Sequence, residues 1–167
     1  MRWIVRRIWI VGMMSVLLGV VAVAAAMGHE GVTDERVVVR IEMGEFYFQV
    51  EGHERNAPIV LLAGQKYEIV FVNVGMMEHE VLIGRDVVVE GGIPDGYEVN
   101  LLDAIEVDVV GEGWEVGTSG FVEVELDAGE IVVLHFTLPD EAIGTWEIGC
   151  FIPGHYQAGM LAPFVVE

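Results

Sequence analysis

Apolar and polar residues alternate in several stretches of this chain. In KYEIVFVNV (66–74), Tyr67, Ile69 and Phe71 would share one face of an extended backbone. RVVVRIEM (36–43), EFYFQVE (45–51), PIVLLA (58–63), HEVLIG (79–84), FVEVEL (121–126), EIVVLHFTL (130–138), GTWEIGCF (144–151) and MLAPFVVE (160–167) are likewise rich in Val, Ile, Phe and Tyr, and several of them alternate. Alternation at period two among Val, Ile, Phe and Tyr predicts half-buried strands. Turn residues separate them: Ala63-Gly64-Gln65, Asp127-Ala128-Gly129, Pro139-Asp140 and Pro153-Gly154. So many short strands, so punctuated, predict an all-β fold: an antiparallel two-sheet β-sandwich with Greek-key connections.

Residues 86–119 interrupt the rhythm, being acidic and Gly-rich. They read as an insertion crossing one edge of the sandwich, with one helical turn around Asn100 to Glu106.

The opening MRWIVRRIWIVGMMSVLLGVVAVAAAMGHE places three arginines before an uncharged run from Ile8 to Gly28 that ends in small residues. That layout marks 1–26 as a signal peptide, with cleavage after Ala24 or Ala26 preferred. The apolar stretch 8–27 is also long enough to remain as an uncleaved membrane anchor or tether. Either way the remaining domain, 27–167, is expected on the periplasmic or extracellular side of the membrane. Its length suits one domain with one core.

Residues 27–167 hold 5 basic and 27 acidic side chains, a formal charge of −22, and after Arg85 there is no Lys or Arg. Such a surface repels nucleic acid and anionic lipid and favours basic partners and cations. It also supports solubility, and charge alone names no partner.

Cys150 is the only cysteine in the sequence. In an oxidising compartment an exported thiol without an intramolecular mate is buried and inert, pairs with another chain, or is held by a metal. Its surroundings, GCFIPGHYQAGM (149–160), favour the metal. Cys150 ends one predicted strand and Met160 begins the next, so Cys150, His155 and Met160 share one hairpin loop. Thiolate, thioether and imidazole are the soft donor set of copper, and a His₂Cys plane with a distant Met is the blue-copper arrangement.

One imidazole is missing from that loop. His29 falls near the mature terminus, His53 in the polar turn GHERNA, and His135 in mid-strand. His79 follows the strand KYEIVFVNV and the turn GMME, so it can stand at a strand end facing the loop. It is the preferred fourth donor.

The pattern NVGMMEHEVLIG with GCFIPGHYQAGMLAPFVV resembles the type 1 copper proteins of the cupredoxin family, which includes plastocyanin, azurin and rusticyanin. The Cys-x4-His-x4-Met loop is most similar to the rusticyanin form. The resemblance covers most of 36–167, apart from 86–119. It implies a cupredoxin-like sandwich of about eight strands with one type 1 copper ion near one end, cycling between Cu(I) and Cu(II). It maps His79, Cys150 and His155 onto the equatorial ligands and Met160 onto the axial one. Glu80 departs from the pattern, since many relatives carry an amide or hydroxyl there to tie the ligand segments together. Glu80 could do so through its carboxylate, or could point to solvent.

These readings lead to a single-electron carrier rather than an enzyme, expected as a monomer. An apolar patch around His155, built from Phe151, Ile152, Pro153, Tyr156 and Ala158 with Met76 and Met77, would dock redox partners. Those would be basic proteins, such as a cytochrome c-like carrier or a terminal oxidase. The alternative is a protein that stores or delivers copper outside the cytoplasm.

Overall fold

Tyr67, Ile69 and Phe71 do share one face, and all three are buried. A computed structural model describes residues 35–120 and 123–167. The expected signal or anchor segment 1–26 lies outside the described residues, as do His29 and the first two residues of FVEVEL. Among the described residues, no helix is long and apolar enough to cross a membrane.

The strands are β1 (Val37–Gly44), β2 (Tyr47–Val50), β3 (Ile59–Leu61), β4 (Lys66–Asn73), β5 (His79–Glu90) and β6 (Ile93–Asn100). They continue as β7 (Val107–Gly111), β8 (Trp114–Thr118), β9 (Val124–Leu126), β10 (Ile131–Thr137), β11 (Gly144–Gly149) and β12 (Leu161–Val166). One sheet runs β2-β1-β4-β10-β7-β8, the other β3-β12-β11-β5-β6, and β9 pairs with β5. The expected sandwich is present, but its sheets are mixed: β1 pairs with β4, and β12 with β3, in parallel.

Inward-facing residues of both sheets fill the core. Ile41, Phe48, Phe71 and Leu134 come from the first sheet, and Ile83, Ile148 and Phe164 from the second. Burying a side chain of this size contributes about 1.5–3 kcal/mol, so truncating Phe71 to Ala costs about 3–5 kcal/mol.

Segment 86–119 is not a crossing loop with a helical turn. It completes β5 and supplies β6, β7 and β8, which extend one edge of each sheet. Gly91 and Gly92, with φ of 59° and 90°, form the two-residue turn of the β5–β6 hairpin. Between β6 and β7 the chain makes a turn, where Asn100 Oδ1 accepts the Leu102 N–H at 2.8 Å. Leu101, Leu102 and Ile105 of this turn point into the core. Their apolar spacing serves that anchoring rather than a helix.

Candidate metal centre

Three strand ends meet at one end of the sandwich. His79 opens β5, Cys150 follows β11, and Met160 precedes β12. The β5–β11 register pairs Leu82 with Gly149, which brings the start of β5 beside the residue after β11. The loop from 150 to 160 is closed by its own backbone. Cys150 N–H donates to Met160 O at 3.1 Å, Met160 N–H to His155 O at 3.0 Å, and His155 N–H to Ile152 O at 2.9 Å. Gly154 and Gly159 take φ of 97° and 98°, which L side chains rarely adopt.

One ring nitrogen from each of His79 and His155 and the Cys150 sulfur lie within 4.8 Å of one another. His79, Cys150 and Met160 are fully buried, and His155 is 7% exposed. His155 Nδ1 stands 3.3 Å from Cys150 Sγ. Neither ring nitrogen of His79 has a hydrogen-bond partner among the described residues. A buried imidazole left so would cost about 1–3 kcal/mol per polar group. A cation accepted by one nitrogen removes part of that cost. Two imidazoles and a thiol, with a thioether in the same loop, fit one copper ion.

Burial holds both imidazoles below the usual histidine range, with the neighbouring His155 charge adding to the effect at His79 and Glu45 opposing it at both. Both rings are therefore in the neutral, metal-binding form at pH 7. Burial also pushes the Cys150 thiol up to about 11, against the Glu80 and Ile152 amides and with the Glu80 and Glu78 carboxylates. The Glu80 N–H donates to the Cys150 sulfur at 3.3 Å.

The other two histidines among the described residues stand apart. His135 on β10 pairs with Glu68 Oε2 at 2.9 Å, near the opposite end of β4 from the His79 turn. His53 is exposed in its turn, with Nδ1 3.2 Å from Glu51 O. Glu80 turns inward: it is 8% exposed, and its Oε2 accepts the Phe151 N–H at 2.9 Å.

Phe151 does not belong to a surface patch. It is buried, with Tyr156 stacked on it at 4.9 Å and Tyr97 edge-on at 4.8 Å. Met76 is 89% exposed and Met77 is partly so, while Phe46 meets the His155 ring edge-on at 5.3 Å.

Several residues around the site escape pattern reading. Asn73 is buried and braces the turn before His79: its Nδ2 donates to Met77 O and Leu126 O at 2.7 and 2.8 Å, and its Oδ1 accepts the Gly75 N–H at 2.9 Å. Glu45 accepts the Met76 N–H. A Cβ on Gly75 would lie 2.7 Å from Glu45 Oε1 and 2.8 Å from His79 Nε2, so the close packing there requires glycine. Asn56 spans from the Phe48 N–H to Gly159 O. Its place in the polar turn GHERNA, with φ of 54°, is the one sequence-level sign, since Asn tolerates that backbone.

No protein-family profile matches the chain, and no curated protein matches it. Among solved structures it is similar to rusticyanin variants, at 20% identity over 79% of this chain and 77% of that one, with a TM-score of 0.50. It is similar to a multicopper oxidase from the hyperthermophile Aquifex aeolicus at 17% identity and a TM-score of 0.54, over 81% of this chain but 30% of the oxidase. It is also similar to a reduced auracyanin from Roseiflexus castenholzii at 17% identity over 78% of this chain and 96% of that one, with a TM-score of 0.48. The likenesses at 0.50 and above show the fold.

Proposed function

We propose that this chain, which has the cupredoxin fold, is an exported blue copper protein that passes single electrons between redox partners. His79, Cys150 and His155, with Met160 of the same loop, would hold one copper ion. The observation that carries this reading is the buried, partnerless His79 ring set beside a thiol and a second imidazole. Copper bound there would supply one-electron chemistry between Cu(I) and Cu(II).

The protein's own part is to hold the donors still and keep water out. The Glu80 N–H on Cys150 Sγ stabilises the thiolate and helps set its donor strength. The short loop hydrogen bonds and the Glu80–Phe151 tie resist movement of the donors when the charge of the site changes. Turnover of a substrate is not part of this reading.

Partners would meet the end of the molecule where Phe46 is exposed beside the His155 ring and Met76 and Met77 are exposed in the turn before His79. The strongly acidic surface would steer basic ones, such as a cytochrome c-like protein or a terminal oxidase domain. Association rates that did not fall with rising salt would rule steering out. Export would follow from residues 1–26.

The test is an optical and EPR spectrum of the copper-loaded protein, then reduced and reoxidised. An intense blue thiolate band with narrow copper hyperfine splitting, reversibly bleached, is expected. It should vanish in Cys150→Ser and persist in His135→Ala. A pale product, or loss of the ion on reduction, would instead support copper storage or delivery.

A further inference from the structure

Tyr97 stands in β6, which segment 86–119 adds beside β5. Val87 of β5 pairs with it in register, and the Tyr97 side chain approaches two residues of the sheet that have no side chain. A Cβ on Gly84 of β5 would lie 2.5 Å from Tyr97 Cβ, and a Cβ on Gly149 of β11 would lie 2.6 Å from the Tyr97 phenol oxygen. The two glycines form a trough in which the ring lies across β5 and β11 toward the loop after Cys150. Close approach of an aromatic ring to a strand backbone is what glycine permits.

At the end of the trough, Tyr97 Oη donates to Glu147 Oε1 at 2.9 Å, and its ring meets Phe151 edge-on at 4.8 Å. Tyr156 Oη donates to the same oxygen at 2.6 Å, and its ring stacks on Phe151. Phe151 follows Cys150, and Tyr156 follows His155. One phenol of the added hairpin thus bears on the residues next to two donors, through a shared carboxylate and a shared ring. Hydrogen bonds to a carboxylate are among the stronger ones, and edge-on and stacked rings add directional contact.

We propose that Tyr97 is a positioning residue for the metal loop, and that the hairpin carrying it shapes that loop before any ion binds. This rests on the reading of residues 150–160 as the copper-holding loop. Supporting residues that lock the donors' neighbours keep a site within its productive geometry. Without the phenol, Tyr156 keeps Glu147 but loses the brace from β6, and the loop opens more often while the sandwich stays folded.

Amide hydrogen exchange on the full chain, metal-free, tests this in wild type, Tyr97→Phe and Tyr97→Ala. In Tyr97→Phe, which keeps the ring, amides of residues 154–160 should exchange roughly tenfold faster while those of β1 and β4 stay unchanged. Tyr97→Ala should exceed that. Loop exchange equal to wild type in Tyr97→Phe would overturn the proposal, as would acceleration spread evenly over the sandwich, which would mean general destabilisation. Because no metal is present, a failed blue spectrum in wild type would sink the copper reading without touching this result.

Discussion

Glu80 and Phe151 are joined by a hydrogen bond of 2.9 Å from the Phe151 N–H to the Glu80 carboxylate, while the Glu80 N–H reaches Cys150 Sγ at 3.3 Å. One residue thus ties the start of β5 to the loop twice. The carboxylate does what an amide or hydroxyl would, but it brings a charge into a buried place.

That charge makes the metal-free protein pH-sensitive. Burial raises the Glu80 pKa to about 7, with the Phe151 N–H opposing and the Glu123 and Glu125 carboxylates adding. Between the ordinary glutamate value of 4.5 and about 7, the folded protein holds a proton that the unfolded chain has lost. This contribution is therefore full below that window and disappears as pH rises through it, by about 3 kcal/mol at most. Urea unfolding from pH 4.5 to 7.5 should show wild type losing stability relative to Glu80→Gln; parallel curves would refute the assignment.

Cys150 sets a second dependence. With its thiol at about 11, both imidazoles neutral and Glu80 largely ionised, copper uptake at pH 8 to 9 should release one proton per ion. Apparent affinity should then rise about tenfold per pH unit. An indicator dye in weak buffer measures the release directly. Zero protons per ion would mean that the thiolate is not a ligand.

The glycine trough gives an ordered pair of effects. Gly84→Ala drives its Cβ against backbone, 2.5 Å from Val99 O, whereas Gly149→Ala meets the far end of the Tyr97 side chain, its phenol oxygen. Overpacking costs about 1–3 kcal/mol, so Gly84→Ala should lie near the top of that range and Gly149→Ala below it. Thermal or urea unfolding reads the order, and its reversal would show that the ring is not held in the trough.

Asn73→Leu should cost about 3 kcal/mol, because it removes the donor to the Leu126 carbonyl inside the protein and leaves the part-buried Met77 carbonyl and Gly75 N–H without their Asn73 partner. The loss should show in urea unfolding, with amide exchange rising first in residues 74–79. A cost below about 0.5 kcal/mol would mean that water replaces the bonds.

What could be read in advance was local. Period-two alternation in KYEIVFVNV or EIVVLHFTL is a property of a few consecutive residues, and the strands fall where it is regular. The donor types in GCFIPGHYQAGM are chemical identities, legible without coordinates. In segment 86–119 the glycines suggest a loop, whereas Gly91-Gly92 turn a hairpin and the segment's strands join sheets built from distant parts of the chain.

The sequence by itself determined a β-sandwich chain and a loop bearing thiol, imidazole and thioether, since periodicity and side-chain chemistry are carried by neighbouring residues. Only the tertiary structure decided that Glu80 turns inward, that two strand pairs run parallel, and that Tyr97 reaches Glu147. Each of these depends on register between distant strands, where a shift of one residue reverses every side chain to the opposite face.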